Sequence, residues 1–154
     1  MRSSKAVGTK TMNVSKAAGD RSQSRRAWVR VTPAAAFSPR DTAEGGIVFK
    51  NRMWLSNGYY HGSILHRDLW SSSDGVNWSK VERIGPGWTP RGMIGGSAVM
   101  SGRIWILGGG TYDTPASPRR FYNDVWSTAD GIHWEQHAEK TAWAPRQYHD
   151  VAVF

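Results

Sequence analysis

The chain has 154 residues, a formal net charge of +8 and nine tryptophans. It contains no cysteine, which excludes disulfides, thiolate metal sites and a cysteine nucleophile. No stretch approaches the roughly 18 apolar residues that a membrane-spanning helix needs, and no apolar segment follows the early positive charges as in a secretory signal.

Residues 1–26 carry most of the charge. Seven basic residues against one acidic residue give this segment +6, which leaves +2 for the rest of the chain. Small polar residues separate the charges, so the segment has too little apolar surface to offset the entropy of ordering, and we predict a disordered basic tail. Such a tail can bind polyanions, but a solvated leader is the interpretation we prefer, and no nucleic-acid partner is predicted.

From residue 27 onward, short apolar and polar runs alternate between Gly, Asn, Asp and Ser, which predicts half-buried strands. One strand is predicted at 27–31. The four strands of a first repeat follow at 46–50, 52–56, 68–72 and 77–82. The four strands of a second repeat are predicted at 97–100, 103–107, 124–128 and 133–137, and a last strand at 150–154.

Turn residues separate these strands. Asp74-Gly75 and Asp130-Gly131 are strong hairpin signals between the third and fourth strand of each repeat. The second and third strands are joined by longer loops, at 57–67 and 108–123, which differ most between the repeats. The glycines at 108–110 are not followed by a Lys-Ser/Thr pair or a helix, so they predict backbone freedom at a strand end rather than a phosphate loop.

Three segments repeat one pattern of a tryptophan, a polar-apolar stretch, an aromatic residue, a spacer and Pro-Arg. They are WVRVTPAAAFSPR at 28–40, WSKVERIGPGWTPR at 78–91 and WEQHAEKTAWAPR at 134–146. A period near 50 residues built from short strands is typical of β-propeller blades. We predict an all-β partial propeller of two four-stranded antiparallel blades, at about 40–83 and 91–138, with flanking strands of neighbouring blades and a third blade beginning at 145. Because a closed ring needs about four to eight blades, we expect a fragment of a larger propeller or self-assembly.

The hairpins LWSSSDGVNW at 69–78 and VWSTADGIHW at 125–134 resemble those of kelch-type repeats. IWILGG at 104–109 resembles the kelch strand with its closing double glycine, and PRQYH at 145–149 resembles the start of a kelch blade. The resemblance covers 27–154 and implies a kelch-like propeller related to the galactose oxidase central domain. The first repeat departs from it, with Ser56-Asn57-Gly58 at the double glycine. Galactose oxidase chemistry needs a cysteine-linked tyrosine, which this chain cannot form.

Large residues that recur at equivalent positions are predicted to be structural. A tryptophan ring buries on the order of 200 Å², which suits the packing of one blade on the next, with a stacking platform for sugars or bases as the alternative. The arginines after each proline are predicted to bond backbone carbonyls or a neighbouring acid, with an anion trap in a central channel as the alternative. The repeated residues are Trp54, Trp70, Trp78, Trp105, Trp126, Trp134, Arg40, Arg91 and Arg146.

In an antiparallel meander, the long loops and the Pro-Arg segments emerge on one face, which is the predicted binding surface. Its tyrosines can stack on a sugar and its arginines can pair with a carboxylate or phosphate, although the same residues can serve packing and solubility alone. The candidate ligand-binding residues are Tyr59, Tyr60, His61, Tyr112, Asp113, Arg119, Arg120 and Tyr122.

We predict no catalytic residue, metal or cofactor in this chain. No pair of acids is placed for acid–base chemistry, and His133 and His137 would lie ~13 Å apart along a strand. The predicted function is a non-catalytic scaffold that binds a protein or a carbohydrate through its long loops. The alternative is part of a sugar-acting propeller enzyme, such as a sialic-acid epimerase or glycan oxidase relative, with its catalytic groups outside this chain. The sequence does not indicate a compartment.

Overall fold

The computed structural model describes residues 28–41, 44–60, 64–92, 96–115 and 117–154. The predicted basic tail over 1–26 lies outside the described residues. The part of the chain that is described forms strands and no helix, so it contains no helix long and apolar enough to cross a membrane.

Ten strands form in the described residues. The first six are β1 Glu44–Phe49, β2 Arg52–Ser56, β3 Tyr59–Tyr60, β4 Ile64–Leu65, β5 Leu69–Ser72 and β6 Ser79–Val81. The other four are β7 Gly96–Met100, β8 Arg103–Gly110, β9 Phe121–Thr128 and β10 Trp134–Ala138.

These strands build two antiparallel sheets, each a meander of four strands. The first sheet has the order β1-β2-β5-β6 and the second the order β7-β8-β9-β10, while β3 and β4 form a small hairpin in the loop between β2 and β5. The predicted fold class, an all-β partial propeller with two four-stranded blades, is therefore confirmed. The eight predicted blade strands are all present with small shifts at their ends.

Strand lengths depart from the prediction in the second long loop. There β8 continues to Gly110 and β9 begins at Phe121, with a register shift between Leu107 and Gly109. Gly108 and Gly109 have φ values of 59° and 103°, which glycine adopts without strain, so the bulge can be accommodated there.

Strands are predicted at 27–31 and 150–154, but residues 28–31 and 150–154 form none, and residue 27 lies outside the described residues. A strand is stabilised by pairing its backbone groups with a neighbour, and the described residues provide no such neighbour for either segment. The last segment nevertheless lies beside the second sheet, because a Cβ atom added to Gly96 would overlap the side chain of Val151.

The core lies between the two sheets. β1 contacts β7 and β8, and buried side chains from both sheets form one apolar cluster there. None of its members is more than 6% exposed, and each fully buried large apolar side chain contributes about 1.5–3 kcal/mol. The cluster comprises Phe49, Trp54 and Leu69 of the first sheet, Ile104, Ile106, Trp126 and Trp134 of the second, and Trp88 from the connection between them.

A connecting aromatic residue covers the tryptophan pair of each sheet. Trp88 packs edge-on against Trp126 and Trp134, with ring centroids 6.1 and 4.6 Å away. Phe37 packs edge-on against the first sheet in the same way. Its ring centroid lies 6.1 Å from that of the tryptophan in β5 and 5.2 Å from that of the tryptophan just before β6. Edge-to-face pairs contribute about 0.5–1.5 kcal/mol beyond their buried area, so the aromatic of each repeated segment anchors the connection to a sheet.

The Trp54 ring also fixes the turn between β9 and β10. It occupies the space that a side chain at Gly131 would need, and Gly131 has a φ of 83°. Replacing Gly131 by alanine is therefore expected to strain the backbone and to displace the ring at the interface between the sheets.

We predict that Gly131→Ala lowers the free energy of unfolding by about 1–3 kcal/mol more than Gly102→Ala, measured by urea denaturation. Gly102 is the matched control, because its φ of 70° imposes similar backbone strain while no atom lies within 4 Å of an added Cβ. Equal losses in the two variants would show that the ring of Trp54 does not pack on this turn.

Candidate functional site

The long loops and the Pro-Arg segments meet at one end of the two sheets. Asp41 and Tyr59 exchange both backbone hydrogen bonds, at 2.8 and 3.0 Å. The N–H of Gly58 donates to the carbonyl of Arg91, and the N–H of Gly109 donates to that of Arg146, both at 3.0 Å. We call this end the long-loop face: the described residues of 38–41, 57–68, 86–92, 108–123 and 143–149.

Two of the three repeated arginines are buried in ion pairs on this face. Arg91 binds both carboxylate oxygens of Asp124, at 2.8 and 2.5 Å, and donates to the carbonyl of Gly108 at 2.5 Å. Arg40 makes the same fork with Asp68, at 2.5 and 3.0 Å. Both arginine side chains are 2% exposed, so they hold the Pro-Arg segments to Asp68, just before β5, and to Asp124 within β9, and do not line an open channel.

The carboxylate of Asp68 receives a further hydrogen bond, from Nε1 of Trp70 at 2.7 Å. Burial raises the pKa of this carboxyl group, but the hydrogen bonds from Arg40 and Trp70 outweigh burial and hold the pKa below its usual value. Asp68 is therefore ionised at neutral pH and is not placed to donate a proton.

Arg146 differs from the other two repeated arginines. Its Nε donates to the carbonyl of Ala144 at 3.0 Å, and its guanidinium carbon lies 5.7 Å from the ring centroid of Trp143. Among the described residues no acid forms an ion pair with Arg146, which is exposed.

A cluster of three tyrosines lies on the long-loop face. The rings of Tyr59 and Tyr112, one from each long loop, are 4.3 Å apart at 40°. The hydroxyl of Tyr112 is 3.0 Å from that of Tyr148, and this hydrogen bond raises the pKa of Tyr148. Gly92 makes room for the cluster, because a Cβ there would press on Tyr59. We call Tyr59, Tyr112 and Tyr148 the tyrosine cluster.

Charged groups border the cluster on the second loop. Asp113 accepts a hydrogen bond from the backbone N–H of Arg119 at 2.7 Å, and its other oxygen lies 3.5 Å from Nε of the same arginine. The neighbouring Arg120 is exposed, and its backbone N–H donates to Thr111 at 2.9 Å. The loop therefore presents an acid and two arginines next to Tyr112.

The predicted site residues do not all share one place. Tyr59, Tyr112, Asp113 and Arg119 come together at the cluster, whereas the ring of Tyr122 lies 4.3 Å beneath the guanidinium of Arg91. Of the remaining candidates, Tyr60 is half-buried in β3, Arg120 lies on the rim, and His61 is outside the described residues.

Tyr148 was not predicted as a site residue. It follows the third Pro-Arg pair by two positions and adopts a φ of 57°. The sequence carried a usable signal, because that Pro-Arg segment was expected on the same face as the long loops. Among the described residues, no group of three or more histidine, cysteine, aspartate or glutamate side chains is arranged to hold a metal ion.

Comparison with protein-family models and with curated protein sequences finds no match for this chain. The resemblance to kelch-type repeats therefore rests on the sequence motifs alone. What the long-loop face binds has to be inferred from its own geometry.

We predict that Asp124→Asn lowers the free energy of unfolding by about 3–5 kcal/mol, because it leaves the guanidinium of Arg91 buried without a counter-charge. Asp113→Asn is the control, since its ion pair with Arg119 is solvent-exposed and contributes about 0–1 kcal/mol. Chemical denaturation of both variants measures the difference. Similar small losses in both would mean that the buried fork does not hold the loop.

Proposed function

We propose that this chain is a non-catalytic kelch-like repeat module that binds a carbohydrate or a protein segment through the long-loop face. The observation that carries the proposal is the tyrosine cluster. Each of the two long loops contributes one tyrosine ring to it, the third Pro-Arg segment contributes another, and the three rings form one partly exposed surface. A surface of this kind supplies apolar contact area together with hydroxyl groups for orientation.

The charged border favours a carbohydrate as the ligand to test first. A sugar can lay its C–H face on a tyrosine ring while its hydroxyl groups bond to Asp113 and Arg119 beside that ring. The contact between Tyr59 and Tyr112 and the hydrogen bond to Tyr148 hold the rings before a ligand arrives, which reduces the ordering cost of binding. The alternative of a sugar-acting enzyme with its catalytic groups elsewhere is not favoured by any contact among the described residues.

The proposal predicts that a panel of mono- and oligosaccharides contains a ligand whose saturation-transfer NMR signal is lost in Tyr112→Ala. Tyr112→Phe is expected to weaken binding less, because it keeps the ring and removes only the hydrogen bond to Tyr148. Trp28→Ala is the control, since it removes a fully exposed ring outside the long-loop face. Absence of any binding sugar, or equal signals for wild type and Tyr112→Ala, would contradict a carbohydrate site at the cluster.

A second candidate function, self-association, is favoured by the outward face of the second sheet. An apolar cavity opens there between the sheet and the segment 151–153. It is lined by Ala98, Met100, Trp105, Leu107, Val125, Val151, Ala152 and Val153.

The strand registers relate this outward face to the buried one. Trp105 pairs with Ser127 as Trp54 pairs with Ser71, so the two tryptophans hold equivalent positions in their sheets. The face of the first sheet that carries Trp54 is covered by the second sheet. The corresponding face of the second sheet carries Trp105, and Met100 on that face is 45% exposed. We infer that a second copy docks its first sheet here and repeats the contact that already exists within the chain.

Self-association predicts that the weight-average mass in sedimentation velocity rises with protein concentration for wild type but not for Trp105→Arg. Ile64→Arg is the control, because it places the same charge on an exposed apolar residue of β4, away from the outward face. A wild-type chain that stays monomeric, or a Trp105→Arg variant that still associates, would contradict docking at this face.

A further inference from the structure

A polar cleft lies at the edge of the first sheet, between the start of β5, the end of β6 and the connection that follows. Its charged lining consists of Arg67, Asp68, Lys80, Glu82 and Arg83. It is separate from the tyrosine cluster, with which it shares no lining residue.

Both acids of the cleft already have partners. Asp68 is held in the fork of Arg40, and Glu82 accepts an ion pair from Nζ of Lys80 at 3.0 Å. Among the described residues, neither Arg67 nor Arg83 forms an ion pair. The cleft therefore brings together two guanidinium groups that form no ion pair of their own among the described residues, with the charges of Asp68 and Glu82 acting on Arg83 from a greater distance.

The guanidinium of Arg83 is held in a fixed place. Its central carbon lies 4.2 Å from the ring centroid of Trp88, and a Cβ added to Gly87 would approach its Nη1 to 3.2 Å. Nη1 is buried and has no hydrogen-bond partner among the described residues. Burial and the nearby charge of Arg67 lower the pKa of Arg83, while the charges of Asp68 and Glu82 oppose this shift without cancelling it. A guanidinium that stacks by its face can still offer N–H groups at its edge to an oxyanion, and in Arg83 these are the groups other than the buried Nη1.

The equivalent place on the second sheet lacks the arginine pair. Since Asp124 and Trp134 correspond to Asp68 and Trp78, Asn123 and Glu139 stand where the first sheet has the two arginines. Asn123 donates to the carbonyls of residues 141 and 143, at 3.0 and 2.9 Å, and so lines the cleft of the second sheet with a neutral amide instead of a guanidinium. A sheet of this fold can therefore be built without an arginine pair at this position, and packing on Trp88 accounts for Arg83 but not for Arg67.

We propose that the cleft of the first sheet binds a small oxyanion, a carboxylate or a phosphate group, between Arg67 and Arg83. Arg83 supplies N–H donors held in place on Trp88, and the exposed Arg67 supplies a second guanidinium. A bound oxyanion would neutralise two neighbouring positive charges that otherwise repel each other. This inference does not depend on the function proposed for the tyrosine cluster.

The test is an NMR titration of the full chain with inorganic phosphate and, in a separate arm, with acetate. The signals to follow are the Nε–H of Arg83 and the indole N–H of Trp88. We expect saturable shifts of both signals, and a dissociation constant about tenfold or more weaker in Arg83→Gln and in Arg67→Gln. The anion that binds more tightly identifies the class of ligand, and equal binding indicates recognition of the shared oxyanion geometry.

Lys140→Gln is the charge-matched control, because Lys140 lines the equivalent cleft of the second sheet. It is expected to bind both anions as wild type does. Arg67→Gln changes an exposed residue, so it keeps the test decisive even if Arg83→Gln does not fold. Shifts that do not saturate with either anion, or a loss of affinity in Lys140→Gln equal to that in Arg67→Gln, would overturn the proposal.

Discussion

Every blade in this chain depends on burying tryptophan rings between two sheets that cannot cover their own apolar faces. Trp54 reaches from the first sheet to the turn at Gly131 of the second, and Trp88 closes the space between them from the connection. Each sheet has only four strands, so without its neighbour these rings would face water at a cost of several kcal/mol in total. Any function of the loops therefore requires contact between the sheets.

The same packing positions the candidate binding surface. Once a connecting aromatic lies on its sheet, the arginine three residues later in the chain reaches an acid in or next to the third strand of that sheet, as Arg91 reaches Asp124 in β9. The buried fork then pins the connection against the long loops, which brings the rings of Tyr59 and Tyr112 together. The buried ion pairs therefore act together with the backbone hydrogen bonds between loop segments to hold the long-loop face.

Sequence periodicity predicted the eight blade strands because Asp-Gly turns and alternating side chains are local signals. It missed the hairpin of β3 and β4, since strands of two residues show no alternation of apolar and polar side chains. It also ended β8 at residue 107 instead of 110, because glycines have no side chains that could show this alternation. The cleft at Arg67 and Arg83 was not visible, because it depends on two strand ends that are neighbours only in the folded sheet. The tyrosines of the two long loops were predicted as site residues. Their contact with each other was not predicted, because it depends on the conformation of both loops in the folded chain.

The most direct test of the central claim is a nuclear Overhauser experiment on the ring protons of Trp54. Packing of the two sheets predicts cross-peaks from this ring to the α protons of Gly131, and packing of the connection on the second sheet predicts cross-peaks from the Trp88 ring to the ring of Trp134. A well-dispersed spectrum of a folded chain in which both sets of cross-peaks are absent would contradict the account.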